Sequence, residues 1–189
     1  MSELIISVSG LRGIVGESLH PQAAIQYVSA YAAELRPGPV IVGLDGRRTG
    51  RLYADLVSGA LRALGHSVCD AGVVATPTLG VLVRQHHAAG GIQVSASHNP
   101  PEYNGLKLFD AKGSVLNASV GQHVLARYST GEANWVRYDK VGTSHVLDDP
   151  HGEHLQPVSK LVDVQRIRSR RFKVLLDSNH GAGSLLGQR

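Results

Sequence analysis

Residues Val40 to Leu44 read Val-Ile-Val-Gly-Leu, an apolar run with no polar alternation. A strand of that kind is buried on both faces, as happens when helices cover both sides of a parallel sheet. A polar turn follows, Asp45-Gly46-Arg47-Arg48-Thr49-Gly50. Beyond it, a helical repeat from about Arg51 to Leu64 puts Tyr53, Leu56, Val57, Ala60, Leu61 and Leu64 on one face, with Gly65 as its stop. The same grammar recurs. Pro21 to Leu35 reads as a helix, and Ser67 to Val74 as a strand. A helix starts near Thr76 with Leu79, Leu82 and Val83 on its face. Gly91 to Val94 is a buried strand, and Ala118 to Tyr128 a helix ending near Gly131. Leu4 to Val8 reads as an opening strand, Ser9 to Gly13 as a loop and Asp110 to Gly113 as a turn. Strands alternating with amphipathic helices predict an α/β fold, a layered α/β/α domain around a mixed, mostly parallel sheet.

From Trp135 to Pro150 the pattern weakens. His151 to Val162 then reads as a helix leaving the first domain, and Val164 to Arg170 as a second short helix. Phe172 to Asp177 reads as a new buried strand, running into the Gly-rich turn Ser178-Asn179-His180-Gly181-Ala182-Gly183-Ser184 and a helix from Leu185. Two units are expected. Residues 1–150 form an N-terminal α/β domain. Residues 151–189 form a linker helix and the first strand of a second domain that is cut short, so the chain is expected to be the front part of a longer protein. A lone strand at Phe172 to Asp177 would pack on the first domain, pair with another molecule or stay mobile.

Of the 189 residues, 42% are apolar and 5% aromatic, so the core must be aliphatic. The formal net charge of +4 suits an anionic small ligand, and the scarcity of aromatics to stack bases argues against nucleic acid. The single cysteine, Cys69, forms no internal disulfide, which suits a reducing compartment. No apolar run is long enough for a signal segment or a membrane span, so a cytoplasmic protein without a membrane partner is expected. His86 and His87 are adjacent on a helix and do not converge on one ion. His145, His151 and His154 lack a cysteine or HExxH context and read as solvated side chains.

The stretch from Val94 to Phe109 concentrates the chemistry. A strand breaks into Ser95-Ala96-Ser97-His98-Asn99, two prolines stiffen the chain, and Asn104-Gly105 reads as a turn into Leu106 to Phe109, which carries Lys107. Arg12, flanked by Gly10 and Gly13, is a fork for phosphate or an ordinary surface arginine. The turn at Asp45 to Gly50 lies at the strand end where α/β sheets take ligands. No Gly-x-Ser-x-Gly elbow surrounds Ser97, and no Gly-x-x-x-x-Gly-Lys-Ser/Thr loop occurs, which excludes two common nucleophile and nucleotide motifs.

Ser95-Ala96-Ser97-His98-Asn99-Pro100 followed by Asn104-Gly105-Leu106-Lys107 closely resembles the phosphoserine loop of the α-D-phosphohexomutases. The resemblance extends in order through Ser9-Gly10-Leu11-Arg12-Gly13, Gly43 to Gly50, Thr76-Pro77-Thr78 and Asp177 to Gly183, covering essentially the whole chain. It implies a hexose 6-phosphate/hexose 1-phosphate isomerase working through a phosphoserine and a bound sugar bisphosphate. Ser97 would carry the phosphoryl group and contact Mg²⁺ through it. Lys107 would be the general acid/base, aided by Arg12, with loss of its proton favoured by a neighbouring cation or partial burial. His98, Asn99 and Arg47 would bind phosphate. The family's metal loop, sugar-selecting loop and phosphate clamp belong to later domains, so a sugar phosphate and the remaining mutase domains are the implied partners. An isolated chain would then be inactive. The Pro100 to Gly105 variant leans towards phosphoglucosamine or phosphomannose mutases. The alternative is a non-catalytic phosphosugar-binding or regulatory module.

Overall fold

The structure is a computed structural model describing residues 3–7, 10–179 and 181–189. Its elements run β1 (Ile5–Ser7), β2 (Gly10–Ile14), α1 (Pro21–Ala32), β3 (Val40–Leu44), α2 (Gly50–Ala63), β4 (Val68–Val73), α3 (Thr76–Gln85), β5 (Gly90–Val94), β6 (Tyr103–Phe109), α4 (Ala118–Thr130), β7 (Ser144–Val146), α5 (Pro150–Ser159), α6 (Val164–Ser169) and α7 (Gly183–Gly187). Among the described residues the strands form one sheet in the order β1-β2-β6-β5-β3-β4-β7. The half from β5 through β3 and β4 to β7 is parallel, and the half from β1 through β2 and β6 to β5 is antiparallel. The parallel half needs crossovers, which α2 and α3 supply.

The core explains the unalternating run at β3. Val40, Val42 and Leu44 join Ile92, Val94, Leu106 and Leu108 against α1, α2 and α4. Ile41, on the opposite face, packs with Cys69, Leu79, Leu82, Val83 and Phe109. The result is the expected α/β/α layering, with helices on both faces of a mixed sheet. Local signals set several boundaries. Pro21 opens α1 at its first turn. The Asn117 side chain accepts the Val120 N–H at 3.0 Å, and Gly131 closes α4 in the left-handed conformation.

Five expectations need correction. His151 is not solvated but buried in the packing of α5. Gly10 to Gly13 is not a loop but strand β2, held between β1 and β6. Pairing on both sides outweighs glycine's poor strand propensity. Val8 and Ser9 lie outside the described residues, as does His180. Asn104-Gly105 is not a turn but lies within β6. Phe172 to Asp177 forms no strand; it has no strand partner among the described residues, and Leu175 is 96% exposed. A strand needs a neighbouring edge for its backbone groups. The helix expected to leave the first domain instead packs on it. In α5, Glu153 accepts from His86 Nε2 at 2.7 Å and His154 Nδ1 meets Thr78 Oγ1 at 2.8 Å. The short edge strand β7 falls where the sequence pattern is weakest, and it exists because β4 offers it an edge at Val68 to Asp70.

Candidate active site

Ser97 lies just beyond the C-terminal end of β5, the strand at the middle of the sheet. Ser95 still pairs with β6, its N–H donating to the Gly105 carbonyl at 2.9 Å. Ala96 is buried, and the chain then turns sharply. Ser97 is exposed and has φ +59°, a left-handed conformation unusual for a residue with a Cβ. Its N–H donates to Ser95 Oγ at 3.0 Å. The Asn99 and Tyr103 N–H groups donate to the carbonyls of Ala96 and Pro100, closing a loop over residues 97–102. His98 Nδ1 stands 3.5 Å from Ser97 Oγ, too far for a strong hydrogen bond.

Arg12 and Lys107 meet on one face of the antiparallel half. Arg12 pairs with Gly105 across β2 and β6, and Lys107 lies two residues further along β6 on the same face. Gly105 makes this approach feasible, because a Cβ there would stand 2.3 Å from the Leu11 carbonyl oxygen. Both side chains are half-buried and line a cavity of about 200 Å³ together with Ser7, Gly10 and Ser95. A second cavity, of about 410 Å³, is lined by Ser97, Asn99, Asp45, Arg47 and Ser95, with Asn179 and Gly181 on its far side. Ser95 belongs to both cavities, so the cation pair and the serine loop adjoin there.

Arg47 is expected among the phosphate ligands, and its geometry is different. Its Nε donates to Asp45 Oδ2, and its Nη1 and Nη2 donate to the carbonyls of Pro100, Tyr103, Ser97 and Asn99. All five guanidinium N–H donors are thereby spent inside the protein. The neighbouring Thr49 adds a tie, its Oγ1 accepting from Asn104 Nδ2 at 3.0 Å. The residues that sequence reasoning missed are Ser95, Asp45, Thr49 and Asn104. Each lies in a stretch the sequence marks, Ser95 and Asn104 around the serine loop and Asp45 and Thr49 in the polar turn after β3, but their contacts are set only by the fold.

The Mg²⁺ implied by the resemblance does not find a cage in this set. Among the described residues, no three His, Cys, Asp or Glu side chains converge on a point. Asp45, the carboxylate beside Ser97, is committed to Arg47. Among the described residues, no helix is long and apolar enough to cross a membrane.

Residues 4–135 match the family described as phosphoglucomutase/phosphomannomutase, alpha/beta/alpha domain I. The chain is 31% identical over 178 residues to a probable phosphoglucosamine mutase of Thermococcus kodakarensis, covering 94% of this chain and 38% of that protein. It is 32% identical over 181 residues to a phosphoglucomutase/phosphomannomutase of the same organism, covering 93% of this chain and 40% of that protein. A crystal structure of a phosphoglucomutase/phosphomannomutase family protein from Burkholderia thailandensis superposes with a TM-score of 0.69 at 25% identity, over 82% of this chain and 35% of that one. The chain thus spans about two-fifths of the length of the curated relatives it matches. With the serine loop, the cation pair and the sheet order in hand, the chain belongs to the phosphoglucomutase/phosphomannomutase family, the α-D-phosphohexomutases.

Proposed function

We propose that this chain is the serine-bearing part of a cytoplasmic phosphohexomutase that interconverts hexose 6-phosphate and hexose 1-phosphate. The observation that carries the reading is Ser97, an exposed serine in a left-handed turn at the C-terminal end of the sheet, in a cavity that adjoins, at Ser95, the one lined by Arg12 and Lys107. In this reading phosphoserine 97 passes its phosphoryl group to a sugar hydroxyl. The phosphorus–Oγ bond breaks as the phosphorus–sugar oxygen bond forms. Lys107 relays the proton: it takes it from the attacking sugar hydroxyl and delivers it to Ser97 Oγ as that oxygen leaves, so the serine hydroxyl is restored and Lys107 ends as it began. The bisphosphate then turns over, and the reverse step returns its other phosphoryl group to Ser97. Such transfers depend on positioning and charge neutralisation. Arg12 supplies a cation on the same sheet face as Lys107. His98 and Asn99 flank the transferred group. Mg²⁺, when bound to the phosphoserine, would supply further charge neutralisation, and Ser97 is the ligand that the resemblance assigns to it.

The substrate is proposed to be a glucosamine or mannose phosphate. Similarity does not separate these, since two Thermococcus kodakarensis proteins with different names match at 31% and 32% identity. Residues 1–150, together with the docked helix α5, are proposed as the phosphoserine domain and the residues after α5 as the lead into a second one, whose own loops and those of further domains would complete the site. The test is intact mass spectrometry of the complete gene product after exposure to a hexose 1,6-bisphosphate. One added phosphoryl group, absent from Ser97→Ala, is expected. An unchanged mass would favour the alternative, a phosphosugar-binding module without transfer.

A further inference from the structure

We propose that Arg47 is the positioning residue of the Ser97 loop and not a ligand of substrate phosphate; the functional half of this inference rests on the phosphotransfer reading of Ser97. The loop holds a backbone conformation that a serine does not choose by itself, with φ +59°. Such a conformation persists only when its surroundings over-determine it. Arg47 does this from beneath. Its Nη2 binds the Ser97 carbonyl at 2.9 Å and the Asn99 carbonyl at 2.7 Å. Its Nη1 binds the Pro100 carbonyl at 2.7 Å and the Tyr103 carbonyl at 3.1 Å. Four carbonyl oxygens converging on one point repel one another unless a cation sits among them. The guanidinium is that cation, and its side chain is only 14% exposed. Asp45 orients it, receiving Nε at 3.1 Å and the Arg47 backbone N–H at 3.1 Å.

The sequence of the loop fits this arrangement. In a planar trans peptide, turning a carbonyl inward points the following N–H outward. The residues after Asn99 and Pro100 are Pro100 and Pro101, which have no N–H. Two of the four inward carbonyls therefore leave no stranded donor. A lysine at position 47 keeps the charge but has three donors at a single point, and cannot span Asp45 and four carbonyls.

The test compares wild type, Arg47→Lys and Arg47→Ala in the complete gene product, with amide hydrogen exchange and phosphoryl uptake from a hexose 1,6-bisphosphate as readouts. Arg47→Lys guards against a global folding failure of the alanine variant. Exchange over residues 95–103 is expected to rise roughly tenfold or more in both variants, the worth of losing charge-assisted bonds. Exchange in β3 and β5 should stay at the wild-type level. The maximal rate of phosphoryl uptake by Ser97 should fall on the order of 10²-fold, with the half-saturating bisphosphate concentration unchanged, as for a misplaced reacting group. Wild-type exchange across 95–103 in Arg47→Lys, or a raised half-saturation with unchanged maximal rate, would overturn the inference. Absence of uptake by wild type would sink the phosphotransfer reading alone, and exchange would still decide whether Arg47 holds the loop.

Discussion

Backbone and side chain place opposed demands at Ser97. The left-handed φ of +59° suits glycine, while the proposed phosphoryl transfer requires the hydroxyl. Ser97→Gly is therefore expected to stabilise the protein by about 1 kcal/mol in urea denaturation while abolishing phosphate uptake. A loss of stability would mean that the turn is not strained. At Gly105 the demand is purely steric. An alanine Cβ would meet the Leu11 backbone oxygen at 2.3 Å and the Ser95 oxygen at 3.1 Å, neither of which can rotate aside. Gly105→Ala should cost roughly 2–3 kcal/mol by the same measurement, because β2 must move off β6. At Lys107 the expectation is functional: Lys107→Ala should keep the fold, by circular dichroism, and slow transfer by about 10²–10⁴-fold, the usual worth of a general acid/base. Unchanged transfer would remove Lys107 from the mechanism.

Between elements, the packing of α5 on α3 is built around histidines. Burial pushes His151 below its ordinary 6.5, with Arg189 adding to the effect and Asp149 and a backbone bond at Val73 opposing it. His154 is lowered from 6.5 by burial, then by His151 and Arg84. The folded state thus binds fewer protons here than the unfolded chain. The stabilisation is complete above pH 6.5 and is lost as pH falls through 6.5 towards the folded-state values. His86 Nε2 and Glu153 Oε2 also meet at 2.7 Å across this packing. The urea midpoint should therefore drop between about pH 7.5 and about pH 5.5. It should drop less in the double variant His151→Gln, His154→Gln. A midpoint that is equally pH-dependent in both proteins would show that these histidines do not carry the effect.

Across the whole molecule, stability is concentrated in the sheet and its two helix layers, and the last residues add little to it. Phe172, Val174 and Leu175 are 65%, 83% and 96% exposed, so their burial contributes little here. Truncation after Asp163 is expected to leave the urea midpoint nearly unchanged. Truncation after Asp149 removes α5 and uncovers α3, including the fully buried Thr78, and should lower the midpoint clearly. Equal midpoints for the two truncations would show that α5 belongs energetically with the C-terminal residues 160–189, as a domain boundary at residue 150 implies.

Much of this protein was legible along the chain. The unalternating run Val40 to Leu44, the helical faces of α1 and α2, and the Ser-His-Asn-Pro stretch are local patterns, and local patterns determine element type, layering and the place of the serine loop. What pairs with what was not local. Gly10 to Gly13 became a strand because β1 and β6 flank it, Asn104-Gly105 became strand because Thr49 and the Leu11 backbone hold it, and Phe172 to Asp177 failed to become one for want of an edge. Arg47 is the clearest case. Its sequence neighbours read as a ligand turn at the end of β3, and only the fold brings residues 97–103 over it, where four backbone carbonyls take the donors that a phosphate would otherwise have received. Backbone carbonyls are the same in every residue, so no sequence pattern announces where they converge; that is decided when β3 and β5 align side by side.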